Sequence, residues 1–260
     1  MIIKQLLFLG KMLLKKTNYN LADNERLDDL IINGMKIFQN DKQFCFSLDA
    51  ILLAHFAFLK TKAKCIDLGT GTGVIPLLLA ARGATDISAI ELNPIMVELA
   101  KKSVKYNDLE SIIKIFHADL REVSKEFTGG NFDMVVSNPP YRPIDHGKMS
   151  EIDGLAMARH EITANLRDVV RAAKYLLKFR GRFAMVHLPE RLSEIMVEMS
   201  QIGIEPKRLQ LVYPMIGKKP NMILIEGIVG ANPGLIVEEP LIVYKDDGSY
   251  EDAILNYYKK

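Results

Sequence analysis

The chain has 260 residues, of which 48% are hydrophobic and 25% charged. This balance excludes a disordered protein and suits one ample α/β domain better than two small ones. A formal net charge of +2 excludes nucleic-acid binding through a whole-molecule field, so any such contact must come from a local patch. Cys45 and Cys65 form no CxxC pair and no clustered histidines accompany them, so no structural metal is expected; both stand in apolar sequence that reads as burying reduced thiols.

Met1 to Gly10 is apolar but brief, no small-residue cleavage site follows, and Lys15 and Lys16 come next. Residues 1–16 therefore read as a loose extension, with Met12 an alternative start, before a single domain spanning 17–260. No later segment has the apolar length needed to span a bilayer, so a cytoplasmic, non-membrane protein is expected.

From Lys64 onward strand-like runs alternate with helix-like runs, the pattern of a parallel sheet wrapped by helices. Cys65 to Leu68 is the first strand, and a helix from about Val74 to Arg82 follows a glycine-rich turn. Ile87 to Glu91 is the second strand; Asn93 as N-cap and Pro94 as first helical residue open a helix reaching Tyr106. Ile112 to Phe116 and Phe132 to Ser137 are the third and fourth strands. Leu166, Val169, Val170, Ala173, Leu176 and Leu177 share a helical face, with Gly181 expected to end that helix as a C-terminal cap. Phe183 to Leu188 is the fifth strand, and a helix marked by Leu192, Ile195, Met196, Met199 and Ile202 closes at Gly203. The last two strands, about Leu209 to Tyr213 and Met222 to Val229, flank a basic loop with Lys218 and Lys219, a connection short enough for an antiparallel pair. The expectation is a Rossmann-like, seven-stranded, mostly parallel sheet ending in an antiparallel hairpin, with helices on both faces.

Asp67-Leu68-Gly69-Thr70-Gly71-Thr72-Gly73 occupies the first strand-to-helix turn, where open α/β sheets bind ligands. A dinucleotide fingerprint requires glycine where Val74 stands, and Asp67 would repel a pyrophosphate. The ammonium of S-adenosylmethionine would instead attract that carboxylate. Glu91 ends the second strand about 20 residues on, where a carboxylate reaches ribose hydroxyls, and Asp119 follows the third strand, placed to accept from an adenine amino group. With Gly69, Gly71, Gly73 and Leu120 these are the candidate cofactor contacts.

Ser137-Asn138-Pro139-Pro140-Tyr141 ends the fourth strand. Prolines hold Asn138 and Pro139 extended, so the Asn138 amide oxygen and the Pro139 carbonyl become two fixed acceptors for a planar NH2 group. Aimed acceptors stabilise the positive charge that develops as a methyl arrives, and the Tyr141 ring offers a stacking surface worth ~1–3 kcal/mol. A proline-stiffened turn is the plain structural alternative.

Asp67 to Gly73 together with Asn138 to Tyr141 resembles the class I S-adenosylmethionine-dependent amino-methyltransferases. Three further stretches are similar to the bacterial tRNA (adenine-N6)-methyltransferases acting beside the anticodon of valine tRNA: Asn24 to Leu30, Phe46 to Ala54 and Ala158 to Glu161. The resemblance implies cofactor contacts at Asp67, Gly69, Glu91 and Asp119 and target-amine contacts at Asn138 and Tyr141. It also places Ser47 and Asp49 in a segment covering the methionine end of the cofactor. His160 and Glu161 are candidate substrate residues on the same basis, with a solvated helix start as the alternative. Lys218 and Lys219, with Lys207 and Arg208, are candidate phosphate contacts, and a base must be single-stranded or flipped to reach the loop. Rival readings are a release-factor glutamine or DNA-adenine methyltransferase, and an RNA- or NAD-binding module without transferase activity. The short region before Lys64, with strand-like Met35 to Gln39, argues against the helical bundle of the first, and no length is left for a separate recognition domain of the second.

Overall fold

The computed structural model describes residues 21–140 and 164–258; the expected extension at 1–16 lies outside them. An antiparallel hairpin comes first, β1 (Glu25–Asp29) with β2 (Lys36–Asn40). Next come α1 (Leu48–Phe56), β3 (Lys64–Leu68), α2 (Val74–Ala81), β4 (Asp86–Glu91), α3 (Pro94–Tyr106), β5 (Ile113–His117), a 3-10 turn (Leu120–Lys125) and β6 (Phe132–Ser137). The remainder is α4 (Leu166–Leu176), β7 (Leu177–His187), α5 (Leu192–Gln201), β8 (Ile204–Tyr213), β9 (Met222–Val229), β10 (Ile236–Val237), β11 (Leu241–Ile242) and α6 (Asp252–Tyr257).

Seven long strands run in the order β8-β9-β7-β6-β3-β4-β5. Those from β7 to β5 are parallel, β9 is antiparallel to both β7 and β8, and the two-residue strands β10 and β11 pair with β8 at the edge. The expected sheet is thus present, widened by two short strands whose exposed or brief apolar sequence gave no period to read. One face carries α1, α2, α6 and Val104 of α3 in a single apolar cluster, and the other carries α4 and α5 over Phe132, Phe183 and Met185. The hairpin is fastened to α3, where Phe38 N–H donates to Ser103 Oγ at 3.0 Å and the Asn107 side chain bonds both backbone groups of Lys36.

Gly181 does not cap a helix. The chain passes from α4 straight into β7, with a register break between Phe132/Leu177 and Met134/Arg182. There a Cβ on Gly181 would lie 2.8 Å from the Lys178 carbonyl oxygen, so glycine is required by close backbone approach. Gly203, by contrast, follows α5 with φ +79°, as a C-terminal cap does.

Cys65 is buried, and burial pushes its thiol up to about 12. Cys45 is only half-buried, contrary to the expectation; it lies in the segment between β2 and α1, where its neighbour Phe44 is 65% exposed. Among the described residues no helix is long and apolar enough to cross a membrane, and no group of three or more His, Cys, Asp and Glu could hold a metal.

Glu226 of β9 is fully buried, paired with Arg182 and Arg208, and accepts from Phe58 N–H at 2.9 Å. The two guanidinium groups stack on Phe58 and Phe56 at 4.4 and 4.5 Å, tying the end of α1 to the antiparallel side of the sheet. Removing one member of a buried ion pair strands the other charges, so Glu226→Ala should lower unfolding free energy by about 3 kcal/mol, read as a reduced urea midpoint.

Candidate active site

The described candidate residues, Lys207 and Arg208 excepted, gather on the edge where the parallel strands end. After β3 the glycine loop turns with φ of +76° at Gly69, +57° at Gly71 and +87° at Gly73, left-handed values that favour glycine. Gly73 also faces α3, where an added Cβ would stand 3.3 Å from Ala100 Cβ. Gly69 and Thr70 N–H groups both donate to the Ile90 carbonyl at 2.9 Å, fixing the loop against β4.

Asp67 is wholly buried in β3, and neither carboxylate oxygen completes a hydrogen bond; nor does the buried Thr70 Oγ1. Burial pushes the Asp67 carboxyl up to about 7, the nearby Thr70 hydroxyl favouring the charged form and the charge of Glu91 opposing it. Two buried acceptors without donors are costly unless a ligand supplies N–H groups. They fit the ammonium-bearing end of S-adenosylmethionine and do not fit a pyrophosphate.

Glu91 ends β4 with both oxygens engaged by backbone, accepting from Gly71 N–H at 2.9 Å and Asn93 N–H at 2.8 Å. Each oxygen retains a second lone pair, so the carboxylate is held in place and still able to accept. Asp119 caps the 3-10 turn through Arg121 N–H at 2.9 Å and pairs with the Arg121 guanidinium. Its hydrogen bond with Arg121 holds the carboxyl below the usual range. A ligand amino group would share this acceptor with Arg121, a competition the spacing alone did not reveal. Leu120 is half-buried against the α4 side of the core.

The end of β6 is tied to the end of β3, just before the glycine loop. Ser137 pairs with Leu68 in the β3–β6 register, and its Oγ donates to the Leu68 carbonyl at 2.9 Å. Asn138 is half-buried and Pro139 buried, one and two residues beyond this seam. Tyr141, His160 and Glu161 lie outside the described residues.

Ser47 Oγ donates to Asp49 Oδ1 at 2.5 Å at the start of α1, where Asp49 is 6% exposed and also accepts from Ala50 N–H. The strap before it, residues 41–47, is held at two points that the sequence did not announce. Gln39 Oε1 accepts from Phe46 N–H, and Gln43 Oε1 accepts from Asn93 Nδ2, both at 3.0 Å. Asn93 was legible as a helix cap, and its Oδ1 does accept from Ile95 N–H at 2.9 Å; its second bond was not. Lys218 and Lys219 are exposed in the β8–β9 turn. Because His187 at the end of β7 pairs with Ile223 at the start of β9, that turn overhangs the same sheet edge. Lys207 and Arg208 do not join it: they lie along β8, with Arg208 bound to Glu226 and Glu238.

Residues 47–194 match the family model described as the methyltransferase small domain. A protein of Porphyromonas gingivalis named tRNA1(Val) (adenine(37)-N6)-methyltransferase is 34% identical, the match covering 75% of this chain and 80% of that protein. One of the same name from Tolumonas auensis is 28% identical over 85% of this chain and 92% of its own. Among solved structures, a predicted O-methyltransferase from Agrobacterium tumefaciens shares the fold with a TM-score of 0.64 at 22% identity, covering 81% of this chain and 95% of that one. The chain belongs to the methyltransferase small domain family and is an S-adenosylmethionine-dependent methyltransferase of the class I fold.

Proposed function

We propose that this enzyme methylates N6 of adenine 37 in valine tRNA, acting in the cytoplasm with residues 17–260 as one catalytic domain. The observation that carries the reading is the seam that fixes Asn138-Pro139 beside the glycine loop through Ser137 and Leu68. The names of the relatives at 28 and 34% identity support the substrate. The hairpin and single helix that precede β3 leave no helical bundle of the release-factor type in residues 21–63.

Asp67 receives the cofactor ammonium, Ser47 and Asp49 border its methionine end, Glu91 accepts from the ribose, and Asp119 beside Leu120 meets the adenine. Gly69, Gly71 and Gly73 let the backbone approach closely. Bound there, S-adenosylmethionine would supply an electrophilic methyl group, the pair of the broken S–CH3 bond staying on sulfur in the departing thioether S-adenosylhomocysteine. The Asn138 side-chain oxygen and the Pro139 carbonyl accept the two N6 protons of the target, localising the nitrogen lone pair and stabilising its positive charge as the N–C bond forms. Tyr141 stacks on the target base. The excess proton then passes to water, so no strong base is required. His160 and Glu161 are assigned to the substrate side.

Nucleoside mass spectrometry on tRNA from cells with and without the protein tests this reading: N6-methyladenosine should vanish from valine tRNA in its absence. An unchanged level contradicts it. Lys218 and Lys219 grip phosphates, so replacing both with Ala should weaken tRNA binding and flatten the log–log salt slope by about 1.4. A slope unchanged in titrations from low to high salt would make them plain solvated charges.

A further inference from the structure

The strap at residues 41–47 presents opposite sides to two different things. On its inner side Gln43 Oε1 takes a hydrogen bond from Asn93 Nδ2 at 3.0 Å, Asn93 N–H bonds Glu91 at 2.8 Å, and Glu91 bonds Gly71 N–H at 2.9 Å. An unbroken hydrogen-bonded path therefore joins the strap to the glycine loop. From the other end, Gln39 is 2% exposed, bonds Asp28 through its amide nitrogen and receives Phe46 N–H at 3.0 Å. The N-terminal hairpin is thus the strap's rigid abutment.

On the outer side Phe44 is 65% exposed, although both its flanks are pinned. An isolated surface phenylalanine needs no explanation. This one stands beside exposed Lys42, at the edge that holds the glycine loop, with exposed Lys218 and Lys219 overhanging that edge from the β8–β9 turn. An outward apolar ring beside one lysine, on the sheet edge that also carries Lys218 and Lys219 four strands away, matches unpaired RNA, whose bases stack and whose phosphates carry negative charge.

We propose that the strap couples the two substrates. Gln43 is a positioning residue that latches the strap over the adenosyl side of the cofactor, and the latch presents Phe44 as a stacking platform for an unpaired base of the RNA. The inference rests on the cofactor and RNA assignments above and adds a link between them. Because the ribose acceptor Glu91 is bonded to Asn93, which carries the latch, S-adenosylhomocysteine should tighten RNA binding, and RNA should tighten S-adenosylhomocysteine binding by the same factor.

The test uses the full chain, calorimetry with S-adenosylhomocysteine alone, and fluorescence anisotropy with unmodified valine tRNA in its absence and presence. Phe44→Ala should weaken tRNA binding about five- to a hundredfold with S-adenosylhomocysteine affinity held within twofold, and Phe44→Trp should keep tRNA affinity. Gln43→Ala should weaken S-adenosylhomocysteine about three- to tenfold and reduce the mutual tightening. Gln43→Glu, which retains the acceptor for Asn93, should restore S-adenosylhomocysteine affinity. An unchanged tRNA affinity in Phe44→Ala overturns the platform. A Gln43→Ala protein that melts earlier but binds S-adenosylhomocysteine as before, or a Gln43→Glu protein no better than it, overturns the latch. Failure of the underlying assignments looks different: Glu91→Ala would then leave S-adenosylhomocysteine affinity intact, or the unaltered enzyme would bind tRNA without methylating it.

Discussion

Asn138→Ala should reduce methyl transfer by about a thousandfold while S-adenosylhomocysteine affinity stays within a few fold. The residue lies just beyond the β3–β6 seam, and its proposed acceptor acts on charge that appears only as the methyl moves. Losing one aimed polar group at a site of developing charge lowers kcat by roughly a hundred- to a thousandfold. Tritiated methyl incorporation into tRNA measures the first quantity and calorimetry the second. If cofactor affinity collapsed in parallel, Asn138 would belong to the cofactor pocket and the assignment would fail.

Asp67→Asn should do the reverse, weakening cofactor binding while strengthening the empty fold. Burial raises the Asp67 carboxyl from 3.8 to about 7 in the cofactor-free protein. A raised folded-state pKa means that the folded protein holds the proton longer than the unfolded chain. The associated stability is complete below about pH 4 and is lost as pH climbs to 7, so at pH 8 the buried charge imposes its full penalty. The asparagine variant escapes that loss. Its cofactor-free melting temperature should exceed that of the parent by roughly 5 °C or more at pH 8 and match it near pH 4. S-adenosylhomocysteine affinity at pH 8 should fall about ten- to a hundredfold, since a charge-assisted hydrogen bond is lost. In the parent, affinity should weaken as pH drops below 7, approaching tenfold per unit. Superimposable melting curves at pH 8 together with unaltered affinity would show that Asp67 does not meet the ligand.

What the sequence disclosed and what it hid divide along physical lines. The strands from β3 to β9 were legible because hydrophobic period and turn residues are local, and Asn93-Pro94 named the start of α3 for the same reason. The carboxylates at the ends of β3 and β4 and after β5 were legible because a parallel sheet places successive strand ends on one edge. Gly181 was misread since a glycine following a helical run usually marks its end, whereas here the helix ends five residues earlier and the glycine relieves a contact across a strand irregularity. Gln43 and Asn93 meet across 50 positions, and Ser137 and Leu68 across 69. No local pattern encodes such pairs. The Arg121 partner of Asp119 sits two residues away, yet its direction depends on the turn the backbone makes there.

Parallel strands keep a separation of about 4.8 Å through their backbone ladder, and the Ser137–Leu68 bond carries that spacing to the edge where β3 and β6 finish. On the proposed assignment, the spacing between the cofactor loop after β3 and the amine-binding residues after β6 is thereby set by the backbone, independent of whatever molecule docks outside. On that assignment, a change of peripheral loops would alter which amine is presented while leaving this spacing as the β3–β6 pairing sets it.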